Sequence, residues 1–249
     1  MTPTARKLLV IAAVVFAIAT PAIQALCGLG LSARDFASEG NSTLRAAGYA
    51  FSIWSLIYVG LIAYAVWQAL RRNDYDPILG QVAAPSIVAI AGCGFWIIAS
   101  ALNLRWASVA VIVVSAATLT LGLLRAARTS RSPDLKSRLF VWWPLSLLAG
   151  WLTIAAAINI LTVLTAEGLL ASGARPAAFA GVLAVLIVAL LVLRTPRLAV
   201  HGAPIAWGLV AVWVAERASR GDVAALALGS AILIAAYALW QVRPSAARR

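Results

Sequence analysis

Residues 48–60 read GYAFSIWSLIYVG, a stretch that is apolar enough for a membrane yet carries four aromatic side chains. Leucine would span a bilayer equally well, so the aromatic side chains need a separate explanation. Three explanations are open: anchors at the lipid interface, packing between helices, or the wall of a pocket. Phe51, Trp54 and Tyr58 are spaced three and four residues apart, which places them on one face of a helix. Tyr49 lies at the beginning of that helix and is typical of an interface anchor.

The composition of the whole chain is that of an integral membrane protein. Of its 249 residues, 63% are hydrophobic and only 11% are charged, and the mean hydropathy is +0.95. Soluble domains are about half apolar and about one quarter charged. Water could not solvate a chain with so little polar surface.

Eight apolar runs are long enough to cross a bilayer, which takes about 20 residues. They cover residues 8–26, 48–70, 82–103, 106–126, 139–165, 177–193, 199–216 and 223–241, with ends that are approximate. Alternation typical of strands is absent, which argues against a β-barrel. The sequence therefore predicts an all-α, polytopic bundle of eight transmembrane helices. Because most connections are short, successive helices are expected to pack as antiparallel neighbours.

The placement of charge predicts the orientation of the bundle. If the N-terminus is cytoplasmic, most of the 20 Lys and Arg residues fall on the cytoplasmic side. This bias predicts that both termini are cytoplasmic, in a multi-pass protein of the cytoplasmic membrane whose basic face contacts anionic lipid head groups. Topology thus explains the net charge of +12, and nucleic acid is not an expected partner. The residues assigned to the cytoplasmic side are Arg6, Lys7, Arg71, Arg72, Arg125, Arg128, Arg131, Lys136, Arg138, Arg194, Arg197, Arg243, Arg248 and Arg249.

Asp, Glu, Lys, Arg and His are expected to be absent from the hydrocarbon part of the spans. This argues against ion-coupled transport and against catalysis by the protein's own side chains. His201 is interpreted as a solvated residue of a cytoplasmic loop. Cys27 and Cys93 fall at different depths in the bilayer, so no disulfide is expected between them. Neither a metal site nor an obligatory cofactor is predicted.

Polar side chains are concentrated in the first five runs, whereas the sixth, AAFAGVLAVLIVALLVL, has none. A polar group in hydrocarbon needs a partner or a cavity, so any site is expected within residues 1–165. The last three helices are then a scaffold or an assembly surface. The segment 27–46 is either a cover folded over a pocket mouth or a mobile loop.

The chain contains ten tryptophans, and eight of them fall into two groups by their position in the spans. Trp54, Trp96 and Trp151 lie several residues inside, and Asn159 follows Trp151 by about two helical turns. A buried Asn needs a hydrogen-bond partner, which an indole or phenol group could supply. Flat aromatic walls with a few polar groups suit a large, flat, apolar ligand, and the alternative is that these residues pack the core. The tryptophans near helix ends, interpreted as an interface belt, are Trp106, Trp142, Trp143, Trp207 and Trp240.

Segments in four of the first five helices together resemble the tryptophan-rich sensory proteins, also called the translocator protein family (TspO/MBR, peripheral benzodiazepine receptor). ATPA at residues 19–22 resembles the family's proline-containing first helix, and FSIWSLIY at 51–58 resembles its second. Trp96 in the third helix and WLTIAAAIN at 151–159 in the fifth complete the pattern. Cys93 stands where the family often has Asn. The resemblance covers residues 5–165, and the three further helices are similar to those of a longer bacterial branch.

The resemblance implies a five-helix ligand-binding bundle over residues 1–165 and three additional transmembrane helices over 166–249. It implies a receptor or sensor for porphyrins, other haem-type tetrapyrroles or sterols, often a homodimer, in a bacterial inner membrane. Some family members are reported to degrade porphyrins photochemically; otherwise no enzyme activity is expected. The implied pocket, beneath the segment 27–46, is lined by Pro21, Phe51, Trp54, Tyr58, Trp96, Trp151 and Asn159.

Two other functions remain open, a passive carrier for a neutral small molecule and a structural or assembly subunit of the membrane. A sterol-recognition pattern at Leu233, Tyr237 and Arg243 matches too readily by chance to indicate a function. The small-residue spacings that begin at Ala177 and Ala225 allow close helix contact, either between the last three helices or at an oligomer interface, and packing within the chain is favoured.

Overall fold

In the part of the chain that the computed structural model describes, eight helices are long and apolar enough to cross a membrane, as the sequence predicts, and they pack as a bundle. The structure describes residues 1–38, 40, 43–70, 77–129 and 134–242. No strand occurs among these residues. Two 3₁₀ turns, Gly48–Ser52 and Pro196–His201, and a π-helical turn, Arg138–Trp142, each lead directly into an α-helix. The α-helices are α1 (Pro3–Cys27), α2 (Ala33–Ser38), α3 (Ile53–Leu70), α4 (Pro77–Ala101), α5 (Arg105–Thr129), α6 (Leu135–Ser137), α7 (Trp143–Ala166), α8 (Arg175–Leu193), α9 (Gly202–Glu216) and α10 (Gly221–Val242).

Several sequence-based assignments lie outside the described residues. Arg243, the last residue of the sterol-recognition pattern, is one of them. The orientation of the two termini with respect to the membrane stays a prediction. The cytoplasmic assignments outside the described ranges are Arg71, Arg72, Arg131, Arg243, Arg248 and Arg249.

Capping and proline chemistry shape α1. The Thr2 hydroxyl accepts a backbone N–H at the N-terminus, and the helix ends at Gly28, whose φ of +60° suits a left-handed C-cap. Pro21 lies inside the helix and has no N–H, so the carbonyl of Ala17 loses its intrahelical donor. The hydroxyl of Tyr58 on α3 donates to this carbonyl at 3.3 Å. The Tyr58 hydroxyl of α3 thus replaces the hydrogen bond that α1 loses at Pro21.

Five helices form a ring in the order α1, α3, α7, α5 and α4, and α4 contacts α1 again. We call these helices the five-helix ring. Because α1 packs against both α3 and α4, these two successive helices do not pack closely against each other. The expectation that all successive helices are neighbours is wrong at this point.

The helix α7 joins the ring to α8, α9 and α10, which we call the C-terminal helices. It contacts α3 and α5 within the ring and α8 and α9 outside it, while α10 packs on α8 and α9. More than half of the α7 residues are buried. Other helices direct large apolar side chains such as Leu8, Val59 and Ile187 outward, as expected of a surface in contact with lipid.

Three side chains occupy positions that the sequence analysis did not anticipate. His201 is 1% exposed, because Gly150 of α7 allows the 3₁₀ turn that carries this histidine to approach closely. Trp142 is also 1% exposed, in a π-helical turn that packs against α3, so its assignment to an interface belt is wrong. Glu216 ends the seventh span and is fully buried, so the expectation of spans without ionisable groups fails there.

The two small-residue spacings have different surroundings. A Cβ at Gly181 would lie 2.7 Å from Leu161 Cδ1, which agrees with packing within the chain. Ala225 and Gly229 are exposed, and a Cβ at Gly229 would meet nothing within 4 Å. For the second spacing, packing within the chain is therefore wrong, because this face of α10 points away from the bundle.

Candidate ligand cavity

A cavity of 680 Å³ lies at one end of the five-helix ring, where α1 ends and α3 begins. We call this the mouth end. All five ring helices contribute to the lining, together with residues from the segment between α1 and α3. The volume falls within the range of about 300–1,000 Å³ that is typical of small-molecule sites.

The structure brings all seven sequence-predicted site residues to the wall of this one cavity. They come from four of the ring helices, including the 3₁₀ turn that leads into α3. Their contact with a ligand stays a prediction. The seven residues are Pro21, Phe51, Trp54, Tyr58, Trp96, Trp151 and Asn159.

Aromatic rings from α3 and α7 face each other across the wall. The rings of Trp54 and Trp151 stand edge to face, with centroids 6.3 Å apart and an interplanar angle of 83°. Phe51 meets Trp151 in a similar arrangement at 6.4 Å, and Trp54 lies 5.2 Å from Tyr58 on its own helix. Edge-to-face contacts of this kind are favourable and hold the rings in defined orientations. Phe51, Trp54, Tyr58 and Trp151 thus form one continuous surface, which we call the aromatic wall.

Asn159 is fixed by a partner other than the predicted aromatic group. Its Nδ2 donates to the Oγ of Ser108 on α5 at 3.1 Å, and this Oγ donates to the carbonyl of Arg105 at 2.6 Å. The amide of Asn159 therefore links α7 to α5 at the mouth end.

The described part of segment 27–46 folds over the mouth of the cavity. Its short helix α2 is held by Phe36, which is 2% exposed and meets the Trp96 ring edge to face at 6.1 Å. Before α2, the N–H of Leu31 donates to the carbonyl of Ala101 at the end of α4 at 3.1 Å. Of the two interpretations of this segment, the structure agrees with a cover over a pocket.

The C-terminal helices also reach the cavity, which the sequence analysis missed. Gly208 of α9 lines it, and a Cβ at this position would lie 2.7 Å from Ile154 Cδ1. The neighbouring Trp207 donates its indole N–H to the carbonyl of Ala50 at 3.2 Å and meets the Tyr49 ring at 5.1 Å. Tyr49, predicted as an interface anchor, is thus also a packing partner of α9. The expectation that a site lies wholly within residues 1–165 is wrong at Gly208.

A buried ionic network joins the mouth to the end of α9. Glu216 is fully buried and accepts the backbone N–H of Arg45 at 3.0 Å and the Nε of Arg220 at 2.8 Å. The guanidinium of Arg45 also pairs with Glu216, at 3.3 Å. Arg220 donates in addition to the carbonyl of Thr43 at 2.7 Å. The spacing of Glu216 and Arg220 by four residues is the feature of the sequence that could have indicated part of this network.

A family model described as TSPO-like protein matches residues 7–240 of the chain. The chain belongs to the TSPO-like family. The match runs through the C-terminal helices, whereas the motifs in the sequence pointed only to residues 5–165. No curated protein and no solved structure matches the chain. Family membership and the eight spans support a multi-pass membrane protein with a receptor-type or transporter-type role.

One wall position distinguishes this TSPO-like protein from the pattern described above. Cys93 on α4 lines the cavity where Asn is common in the family, and its thiol donates to the carbonyl of Ala89 at 3.3 Å. A thiol is a weak hydrogen-bond group and packs as a small apolar side chain. The wall is therefore more apolar at this position than an amide would make it. The division of the chain at residue 165 stays a prediction, although contacts cross it at Gly208 and Glu216.

Proposed function

We propose that this TSPO-like protein is a membrane receptor that binds a flat hydrophobic molecule, such as a tetrapyrrole, without catalysis by its own side chains. The observation that carries the proposal is the aromatic wall of Phe51, Trp54, Tyr58 and Trp151 in a cavity of 680 Å³. Aromatic faces offer a planar ligand a large contact area at low conformational cost. A porphyrin has the shape and the apolar surface that such a wall fits.

The charges at the mouth suit a ligand with acidic groups at one edge. Arg34 and Arg45 belong to the lining, and no acidic side chain does among the described residues. Arg45 pairs with Glu216. The Nη2 of Arg34 lies beside Gly48, the first residue of the 3₁₀ turn that precedes α3, at 3.2 Å from the position that a Cβ there would take. Guanidinium groups bind carboxylates through charge-assisted hydrogen bonds. Protoporphyrin combines an apolar body with carboxylates on one side and fits this arrangement.

Close packing beyond the cavity favours a receptor over a passive carrier. Away from the mouth, the ring is filled by Ile57, Leu61, Ile90, Leu119 and Leu148, each with an exposed fraction of zero. A close-packed interior leaves no continuous path for a small molecule. This packing supports a site that opens at one end.

Tryptophan fluorescence tests the proposal. Protoporphyrin titrated into the purified protein should quench the emission, and the double variant Trp54→Ala/Trp151→Ala should lose this saturable quenching. The matched control is Trp106→Ala/Trp240→Ala, which removes two tryptophans that are 51% and 61% exposed. Saturable quenching that is equal in the two double variants would refute the proposed site.

The role of Arg34 can be separated from that of the aromatic wall. Replacement by Gln should weaken protoporphyrin binding by about tenfold, because a charge-assisted hydrogen bond is lost. The dimethyl ester of protoporphyrin carries no carboxylate, so its affinity should be the same in wild type and Arg34→Gln. An equal loss for acid and ester would show that Arg34 does not recognise the carboxylate.

A further inference from the structure

The segment 43–51 connects the cover of the cavity to α3 and contributes a large part of the lining. Leu44, Arg45, Ala46, Gly48, Ala50 and Phe51 all belong to the wall. The position of this segment therefore sets the shape of the mouth.

Contacts from the C-terminal helices hold this segment at three successive points. Arg220 binds the carbonyl of Thr43 at 2.7 Å, and the N–H of Ala47 donates to the carbonyl of Ala211 on α9 at 3.0 Å. Further along, Trp207 binds the carbonyl of Ala50 at 3.2 Å. On the ring side, the Thr43 hydroxyl bonds to that of Thr165 at 2.7 Å. Most of the polar contacts of segment 43–51 are thus made by α9 and the residues that follow it.

Glu216 adds a further point of contact at Arg45 and also binds Arg220, and it is fully buried. Its carboxylate accepts from the backbone and the side chain of Arg45 and from the side chain of Arg220. The guanidinium of Arg45 also reaches the carbonyl of Ala215 at 3.3 Å and the hydroxyl of Ser219 at 3.1 Å. Without the carboxylate, two guanidinium groups would face each other with no anion between them. The side chain of Arg220 is largely buried and that of Arg45 is 39% exposed, so water screens their repulsion only in part.

We propose that Glu216 is a positioning residue for the ligand cavity. Glu216 holds segment 43–51 against α9 and thereby keeps the mouth of the cavity narrow. Glu216 does not belong to the cavity lining and acts through Arg45 and Arg220. The C-terminal helices then have a defined role, since they fix the mouth of a site whose aromatic wall belongs to the ring. The effect on a bound ligand rests on the proposed function, whereas the effect on the mouth itself does not.

Hydrogen–deuterium exchange measures the position of the segment without any ligand. Glu216→Gln keeps the size of the side chain and removes its charge. The amides of Arg45 and Ala47, which donate to Glu216 and Ala211, should exchange about tenfold faster in this variant, since their protection depends on local opening. Arg45→Gln leaves the pair of Glu216 and Arg220 intact and should give a smaller increase at the same amides. This second variant keeps the test decisive if Glu216→Gln fails to fold.

Two control variants separate positioning from general destabilisation. Asp222→Asn breaks an exposed ion pair between Arg175 and Asp222, which involves no residue of segment 43–51. Ile234→Ala removes buried volume from α10, where Ile234 has an exposed fraction of zero. Neither control should change exchange at Arg45 and Ala47. If Ile234→Ala accelerates this exchange as much as Glu216→Gln does, or if Glu216→Gln leaves it unchanged, the proposal is wrong.

The thiol of Cys93 reports the width of the mouth from inside the cavity. In a Cys27→Ser background it is the single thiol of the chain, and N-ethylmaleimide alkylates it when the sulfur adds to the maleimide double bond and the thiol proton passes to the adjacent carbon. Alkylation should be about tenfold faster in Glu216→Gln, because access requires the opening that the carboxylate restrains. A rate equal to that of the parent would overturn the proposal.

Protoporphyrin links the two proposals and distinguishes their failures. If the parent protein binds it, dissociation should be about tenfold faster from Glu216→Gln, since changes of this kind act mainly on the dissociation rate. Unchanged dissociation would refute control of the ligand by Glu216 and leave the proposed receptor function standing. If the parent binds no protoporphyrin, the proposed function fails, and exchange and alkylation still decide the position of the segment.

Discussion

The five-helix ring and the C-terminal helices both cross the membrane, but they use their side chains differently. The ring carries most of the polar and aromatic groups and surrounds a cavity, whereas α8 has no polar side chain from residue 177 to 193. The C-terminal helices nevertheless place Gly208 on the cavity wall and Glu216 beside its mouth. The comparison teaches that lining a site and fixing its shape can be tasks of separate parts of one bundle.

The largest loss of stability is expected when the buried ion pair between Glu216 and Arg220 is broken. Arg220→Met removes the more deeply buried cation from Glu216 and the donor to Thr43, so the free energy of unfolding should fall by about 3–5 kcal/mol. Arg175→Met breaks an exposed pair in the same group of helices and should cost less than about 1 kcal/mol. Denaturant unfolding in mixed micelles measures both. Equal losses would mean that the network at the mouth contributes no more than a surface pair.

A smaller effect is expected where α9 touches the ring. Gly208→Ala places a methyl group 2.7 Å from Ile154 Cδ1, so the buried Ile154 side chain must repack at a cost of about 1–3 kcal/mol. Gly229→Ala on α10 meets open space, and stability should be unchanged or rise by up to about 1 kcal/mol through helix propensity. Thermal unfolding of the two variants gives the difference. A Gly208→Ala variant as stable as Gly229→Ala would show that the approach of α9 to the cavity is loose.

The smallest effect concerns a link within the ring. Tyr58→Phe removes the donor to the Ala17 carbonyl, and the free energy of unfolding should fall by about 1 kcal/mol. In a Pro21→Ala background, residue 21 regains its N–H and can satisfy that carbonyl, so the same substitution should cost less. A double-mutant cycle measures this coupling. Additive effects would contradict the assignment of Tyr58 as the substitute donor.

The sequence was sufficient for features that depend on a single helix. Hydropathy predicted the eight spans, and helical spacing predicted that Phe51, Trp54 and Tyr58 share a face. The placement of these residues with Trp151 at one wall required the family resemblance, because hydropathy carries no information on which helices are neighbours. The position of α1 between α3 and α4 shows this limit, since connection length alone suggested that α3 and α4 pack together.

Pairings between distant polar groups could not be predicted for the same reason. Asn159 and Ser108 are 51 positions apart, and their bond depends on the rotation and depth of two helices. His201 and Trp142 were misplaced because proximity to a helix end suggests exposure, whereas the packing of short turns against α7 and α3 buries them. Glu216 was missed because a charge at the end of a span ordinarily reaches water.

The bond between Arg45 and Glu216 also bears on the order in which the protein is assembled. The two residues are 171 positions apart, so the whole ring emerges from the ribosome before the carboxylate that binds Arg45 exists. Because a chain folds as it is synthesised, a contact between distant residues forms only when the later residue is available. Here the later residue is Glu216. The contacts that hold the mouth of the cavity can therefore form only after α9 has been synthesised, although every aromatic side chain on its wall is synthesised before α8.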